Sequence, residues 1–229
     1  MGHDNFLQSV RRACGDADQL AGLLAELPGD ALQQIGDAVL ATTDPDRTPA
    51  LADVVRRLIA ALEDRRWDGD SELIDALNDA TGTVAPSLTR VTVELEEVAD
   101  ALNQPGGTPS YLDRVNGHVW IDPFTYSPDD EETFDDETSW LCIGGEGSSA
   151  AYRDLERFVA TVEDQRLAAR LADALHGRGA FQRFRRVLER EDPAEYTRWH
   201  RHDTDRRIGR ARSWLADQNY AARPVRYRH

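Results

Sequence analysis

Lysine is absent from this 229-residue chain, so all 27 of its permanently basic side chains are arginines. Without lysine there is no Schiff-base nucleophile, and the lysine of a GxxxxGK[ST] phosphate loop cannot be supplied. Cysteine is scarce too. Cys14 and Cys142 lie far apart with no CxxC or Cys/His ligand spacing, which argues against a disulfide framework and against a zinc site. No apolar run approaches the roughly 20 residues of a membrane span, and the N-terminus lacks a signal-peptide core. The sequence therefore leads us to expect a cytoplasmic protein with no membrane partner. HExxH, GxSxG and Cys/His nucleophile patterns are missing as well, and neither a metal nor a cofactor is expected.

What is present is charge, unevenly placed. The net charge is −15 with 40% hydrophobic residues, enough for a core and for one or two domains. Residues 165–229 carry 16 arginines against 8 Asp and Glu; the preceding 164 residues carry 11 against 34. Such asymmetry marks either a surface for an acidic partner or two parts of one chain that neutralise each other.

Apolar periodicity reads the first 80 residues as consecutive helices. Leu51, Val54, Val55, Leu58 and Leu62 recur at three- and four-residue steps, and Leu20, Leu23, Leu24 and Leu27 do so before Pro28. Asp30 is placed to cap the helix carrying Leu32, Ile35, Val39 and Leu40. Residues 81–87 read as a linker. Beyond it, Arg90–Val93 suggests a strand and Glu94–Leu102 a helix.

SYLDRVNGHVWID (110–122) is a hairpin signal, because Asn116-Gly117 favours the positive φ of a tight turn. A two- or a four-residue loop gives the same facing: Leu112, Val119 and Ile121 toward the core, Tyr111 and Trp120 on the other side. Tyr111 and Trp120 then pack under a helix or form an exposed aromatic platform. Residues 127–139 hold seven acids without EF-hand order and read as a mobile acidic loop. Trp140–Ile143 is a further strand. Ser148 or Ser149 then caps a helix with the stripe Tyr152, Leu155, Phe158, Val159 and Val162.

HGRGAFQRFRR (176–186) invites a nucleic-acid reading, since aromatics alternate with arginines. On a helix, however, Phe181, Phe184, Val187 and Leu188 share an arc of about 120°, with Arg183, Arg186 and Arg190 nearly opposite. The aromatics are expected to be buried anchors. The arginines, with Arg178 in the Gly-Arg-Gly turn, form a ridge that is solvated, self-paired, or offered to an anionic partner. Farther on, Asp192-Pro193-Ala194-Glu195 opens a long helix. His200, Asp203 and Arg207 follow on one stripe, flanked by Trp199 and Trp214. They could move a proton and hold an anion, or form intrahelical ion pairs.

From Leu88 onward the chain resembles a bacterial family catalogued as Uncharacterised Protein Family 0158. The resemblance rests on YLDRVNGHVWID, on YRDLERFVATVEDQRLAARLADALHGRGAFQRFRRVLE and on WHRHDTDRRIGRARSWLADQNY, in that order over about 140 residues. His200 stands near a position where the family more often has an apolar or aromatic residue. The resemblance implies a recurrent α+β domain and carries over no catalytic role.

These readings combine into an α+β protein: a helical region 1–80, a linker 81–87, and an α+β domain 88–229 with a small antiparallel sheet and about four helices. The function expected is that of a non-catalytic binding or regulatory protein, with Arg178, Arg183, Arg186, Arg190, Tyr111 and Trp120 as binding residues. The partner would be an acidic protein or a second copy of the chain. One alternative is a hydrolase-like enzyme using His200 and Asp203, with Arg207 on an anionic substrate. Another is nucleic-acid association through the arginine-rich C-terminal helices.

Overall fold

The computed structural model describes residues 4–42, 49–82, 88–104, 109–121, 139–145 and 147–224. Five helices come first: α1 (Asp4–Arg12), α2 (Ala17–Leu23), α3 (Leu32–Thr42), α4 (Ala52–Arg65) and α5 (Asp70–Ala80). The periodic leucines form their common core. Leu20, Leu24, Ile35, Leu51, Leu58, Leu62 and Leu73 are fully buried, each contributing roughly 1.5–3 kcal/mol through removal from water.

The rest is α+β. Strand β1 (Thr89–Thr92) leads into α6 (Leu95–Leu102), then β2 (Ser110–Asp113), β3 (Val119–Ile121) and β4 (Trp140–Ile143). Helices α7 (Ser148–Val159), α8 (Gln165–Ala174), α9 (Ala180–Glu191) and α10 (Pro193–Asp217) follow, and β5 (Tyr220–Arg223) closes the described chain. Strands β3, β2 and β4 form an antiparallel sheet with β2 in the centre. The hairpin takes the four-residue loop, since Asp113 N donates to His118 O at 2.9 Å and Leu112 faces Val119. Gly117 has φ +75, and a Cβ there would lie 1.9 Å from Thr92 O. Only glycine lets the turn touch β1.

A second, two-stranded sheet pairs β1 with β5 in parallel, Thr89 opposite Tyr220 and Thr92 opposite Arg223. This addition to the antiparallel sheet brings together segments about 130 positions apart, which no local pattern announces.

Several local expectations are corrected. Gly147, at φ +71 and ψ −170, occupies the cap position of α7 without a side-chain bond, so neither Ser148 nor Ser149 is the cap. Ile121, at the end of an edge strand, is 62% exposed rather than in the core. Phe184 and Leu188 are buried as expected, but Phe181 is 42% exposed because it lies at the margin of the apolar arc in the first turn of α9. The acidic stretch 127–138 and most of the linker, 83–87, lie outside the described residues.

Candidate functional site

Helix α10 organises the molecule. Its start is built as the sequence suggests: Asp192 Oδ1 accepts from Ala194 N at 2.9 Å and Glu195 N at 3.0 Å, ahead of Pro193. With 25 residues it runs about 38 Å. One part buries Ile208, Ala211 and Leu215 against α6 and the strands, while Trp199 packs with Phe158 and Phe184 of α7 and α9. Toward the N-terminal helices the junction is polar.

That junction is a network of arginine and aspartate. Arg212 donates from Nε to Gln33 Oε1 at 2.9 Å and from Nη2 to Asp37 Oδ1 at 2.5 Å. Arg206 reaches Asp154 Oδ1 at 2.9 Å and Asp68 Oδ2 at 2.8 Å, and Arg210 also pairs with Asp154. Arg201 holds Asp30, the residue expected to cap α3. The cap on α3 comes instead from α10: Asp205 Oδ1 accepts from Gln33 N at 2.6 Å. Arg65 closes the circuit, forked onto Asp70 at 2.6 and 3.0 Å and bonded to Asp205 Oδ2 at 2.5 Å. Its guanidinium and that of Arg206 both lie over the Trp67 ring. A planar guanidinium can serve two acceptors and stack on a ring at once, whereas a lysine ammonium is a point charge. A chain whose cations are all arginine can bury them in this way.

Burial moves two titrations. His202, enclosed by Trp67, Phe158 and Trp199, has its pKa lowered to about 4, chiefly by loss of hydration. Asp205 is pushed up to about 6 because desolvation outweighs the pull of Arg65. Asp203 is also raised by burial, with Arg207 opposing at 4.0 Å.

The residues nominated from sequence fall into three groups. Arg183 turns back onto the end of α8, bonding the carbonyls of Ala174, His176, Gly177 and Arg178. Arg178, Arg186 and Arg190 are exposed, and no side-chain partner is found for them among the described residues. Tyr111 and Trp120 are direct cross-strand partners on the sheet face opposite Leu112, with Tyr111 half-buried and Trp120 51% exposed. His200 is exposed with its ring edge against Tyr196, 4.4 Å between centroids. His200 and Arg207 line a common cavity of about 390 Å³, whereas Asp203 is not among its walls.

The cavity lies between α1, α3, α6 and α10 and includes Arg11, Gln34, Glu96 and Asp100. Two ion pairs cross it, Arg11–Glu96 and Arg207–Asp100, each with at least one largely exposed partner. Among the described residues no group of three His, Cys, Asp or Glu is placed to hold a metal. No described helix is long and apolar enough to cross a membrane.

Sequence reading missed Gln33, Arg65, Trp67, Asp154 and Asp205. The one trace is spacing: Gln33 and Asp37, four apart on α3, meet the same arginine. Comparison with known proteins identifies one family model, Uncharacterised protein family (UPF0158), over residues 84–225. No curated protein and no solved structure matches the chain.

Proposed function

The chain belongs to the Uncharacterised protein family (UPF0158), whose description names no activity, and from that premise we propose that it is a cytoplasmic, non-catalytic binding or regulatory protein. One observation supports this most: the arginines of α10 are consumed by the chain's own acids, while Arg178, Arg186 and Arg190 remain exposed. Exposed guanidiniums with no side-chain partner among the described residues suit an acidic protein surface, since arginine is enriched at protein interfaces. A second copy of this chain, with its surplus of acids, has the same chemistry. A polyanion such as DNA is disfavoured at long range by the net charge of −15.

The experiment is capture from the native cell extract on the immobilised full chain, with and without nuclease. Bound protein should survive nuclease and disappear with the Arg178→Gln, Arg186→Gln, Arg190→Gln variant. Loss on nuclease treatment alone, or capture indifferent to the three substitutions, contradicts the reading.

A second reading draws on the shared cavity of His200 and Arg207: a hydrolase-like enzyme using His200 and Asp203, with Arg207 on an anionic substrate. His200→Ala with Asp203→Ala separates the two. A cellular phenotype lost while the fold is intact favours the enzyme, and an unchanged phenotype counts against it.

A further inference from the structure

We propose that the cavity between α1, α3, α6 and α10 is a binding site for a small amino carboxylate, a molecule carrying one carboxylate and one ammonium group. The site is separate from the arginines of α9 and does not depend on them. Its volume of about 390 Å³ falls at the lower end of the roughly 300–1,000 Å³ usual for ligand pockets. Its walls come from both the N-terminal helices and the region of the family match, so a ligand there would touch both parts of the chain.

The walls select the ligand by charge. Arg11, Arg201 and Arg207 are cationic; Glu96 and Asp100 are anionic. Arg201 is already bonded to Asp30, so a simple anion would meet Arg11 and Arg207 but face two carboxylates, and a simple cation would face those two guanidiniums. A ligand with both charges can present its carboxylate to an arginine and its ammonium to Glu96 or Asp100, leaving no charge opposed. Leu7, Ala99 and Ile208 add apolar wall, which suits a short, uncharged side chain.

The existing pairs are of the kind that can open. Glu96 is 49% and Asp100 70% exposed, and ion pairs so hydrated contribute little. Two wall residues also have polar atoms to satisfy. Arg207 Nε is a donor and Gln34 Oε1 an acceptor, both buried and neither with a hydrogen-bond partner among the described residues. A modest turn of each side chain toward the cavity would give the donor a ligand carboxylate and the acceptor a ligand ammonium. An amino carboxylate supplies both complements in one molecule.

The test is calorimetric titration and thermal unfolding of the full-length chain with glycine, L-alanine, L-serine and L-valine. Acetate and methylammonium at the same concentrations serve as single-charge controls. At least one amino acid should give saturable heat and a rise in Tm of roughly 5–10 °C at about 100 times its Kd, with no comparable effect from either control. Arg207→Gln and Glu96→Gln should each weaken binding about tenfold or more, whereas Arg56→Gln, on the exposed face of α4, should leave it unchanged. Because Glu96 is half exposed, its variant keeps the test valid if Arg207→Gln compromises folding. Silence from all four amino acids, equal stabilisation by acetate, or binding that survives Glu96→Gln would overturn the proposal.

Discussion

Gln33 of α3 and Asp205 of α10 are joined through a backbone N–H and a carboxylate at 2.6 Å, although 172 positions separate them. The contact caps one helix with a side chain from another, and the same carboxylate receives Arg65. Asp205→Ala leaves a helix N-terminus uncapped and a buried guanidinium short of a partner. Removing one member of a buried pair costs about 3–5 kcal/mol. Asp205→Asn keeps an oxygen for Gln33 N and should lose clearly less. Urea unfolding of the two variants measures the difference; equal, small losses would show that the junction is not held there.

Backbone contact fixes the same junction from the other side. A Cβ on Gly209 would lie 2.2 Å from Asp68 O, and one on Gly69, at φ +83, would lie 2.2 Å from Gly209 O. Gly209→Ala should therefore force the Asp68–Gly69 turn off α10 and weaken the Arg206–Asp68 bond with it. Gly22→Ala is the control. That position, inside α2, has open space around it, and the change should be neutral or stabilising by up to about 1 kcal/mol. Thermal melts that rank the two alike would refute the close approach.

The pH dependence has two opposed parts. His202 titrates near 4 when folded and near 6.5 when unfolded. Between those values the unfolded chain holds the extra proton, so this group's contribution is present above about 6.5 and lost as pH falls toward 4. The loss amounts to about 3 kcal/mol. Asp205, near 6 folded against about 3.9 unfolded, acts the other way and adds stability as pH falls through 6. His202→Leu should lose less stability than the wild type between pH 7 and 4.5, and Asp205→Asn should lose more. Parallel pH profiles for all three proteins would contradict both assignments.

The helices, hairpin and long C-terminal helix were legible because their signals are local. Leu51 to Leu62 keeps one face of α4, Asn116-Gly117 marks its turn, and Asp192-Pro193 marks the start of α10. The pairing of β1 with β5 was not legible, since nothing near Thr89 names Tyr220 as its partner. The candidate site was legible only in its ingredients. Net charge by segment anticipated that a basic part and an acidic part could neutralise each other. It could not say that Arg206 takes Asp68 and Asp154 while Arg186 takes no described residue. Those choices depend on which faces the tertiary fold brings together.

On the proposed reading the C-terminal arginines act chiefly as internal counter-ions, and those left exposed do not make a nucleic-acid surface. Labelled DNA and RNA titrated with the full-length chain at roughly 150 mM salt test it most directly, because screening there confines electrostatics to about 8 Å. Arg166, Arg178, Arg186, Arg190 and Arg223 are exposed without a side-chain partner among the described residues, and five such contacts give at most a salt slope of about 4.5, corresponding to salt-sensitive contact. No saturable binding is expected at micromolar protein. Micromolar or tighter binding that is lost when Arg178, Arg186 and Arg190 become glutamine would contradict it.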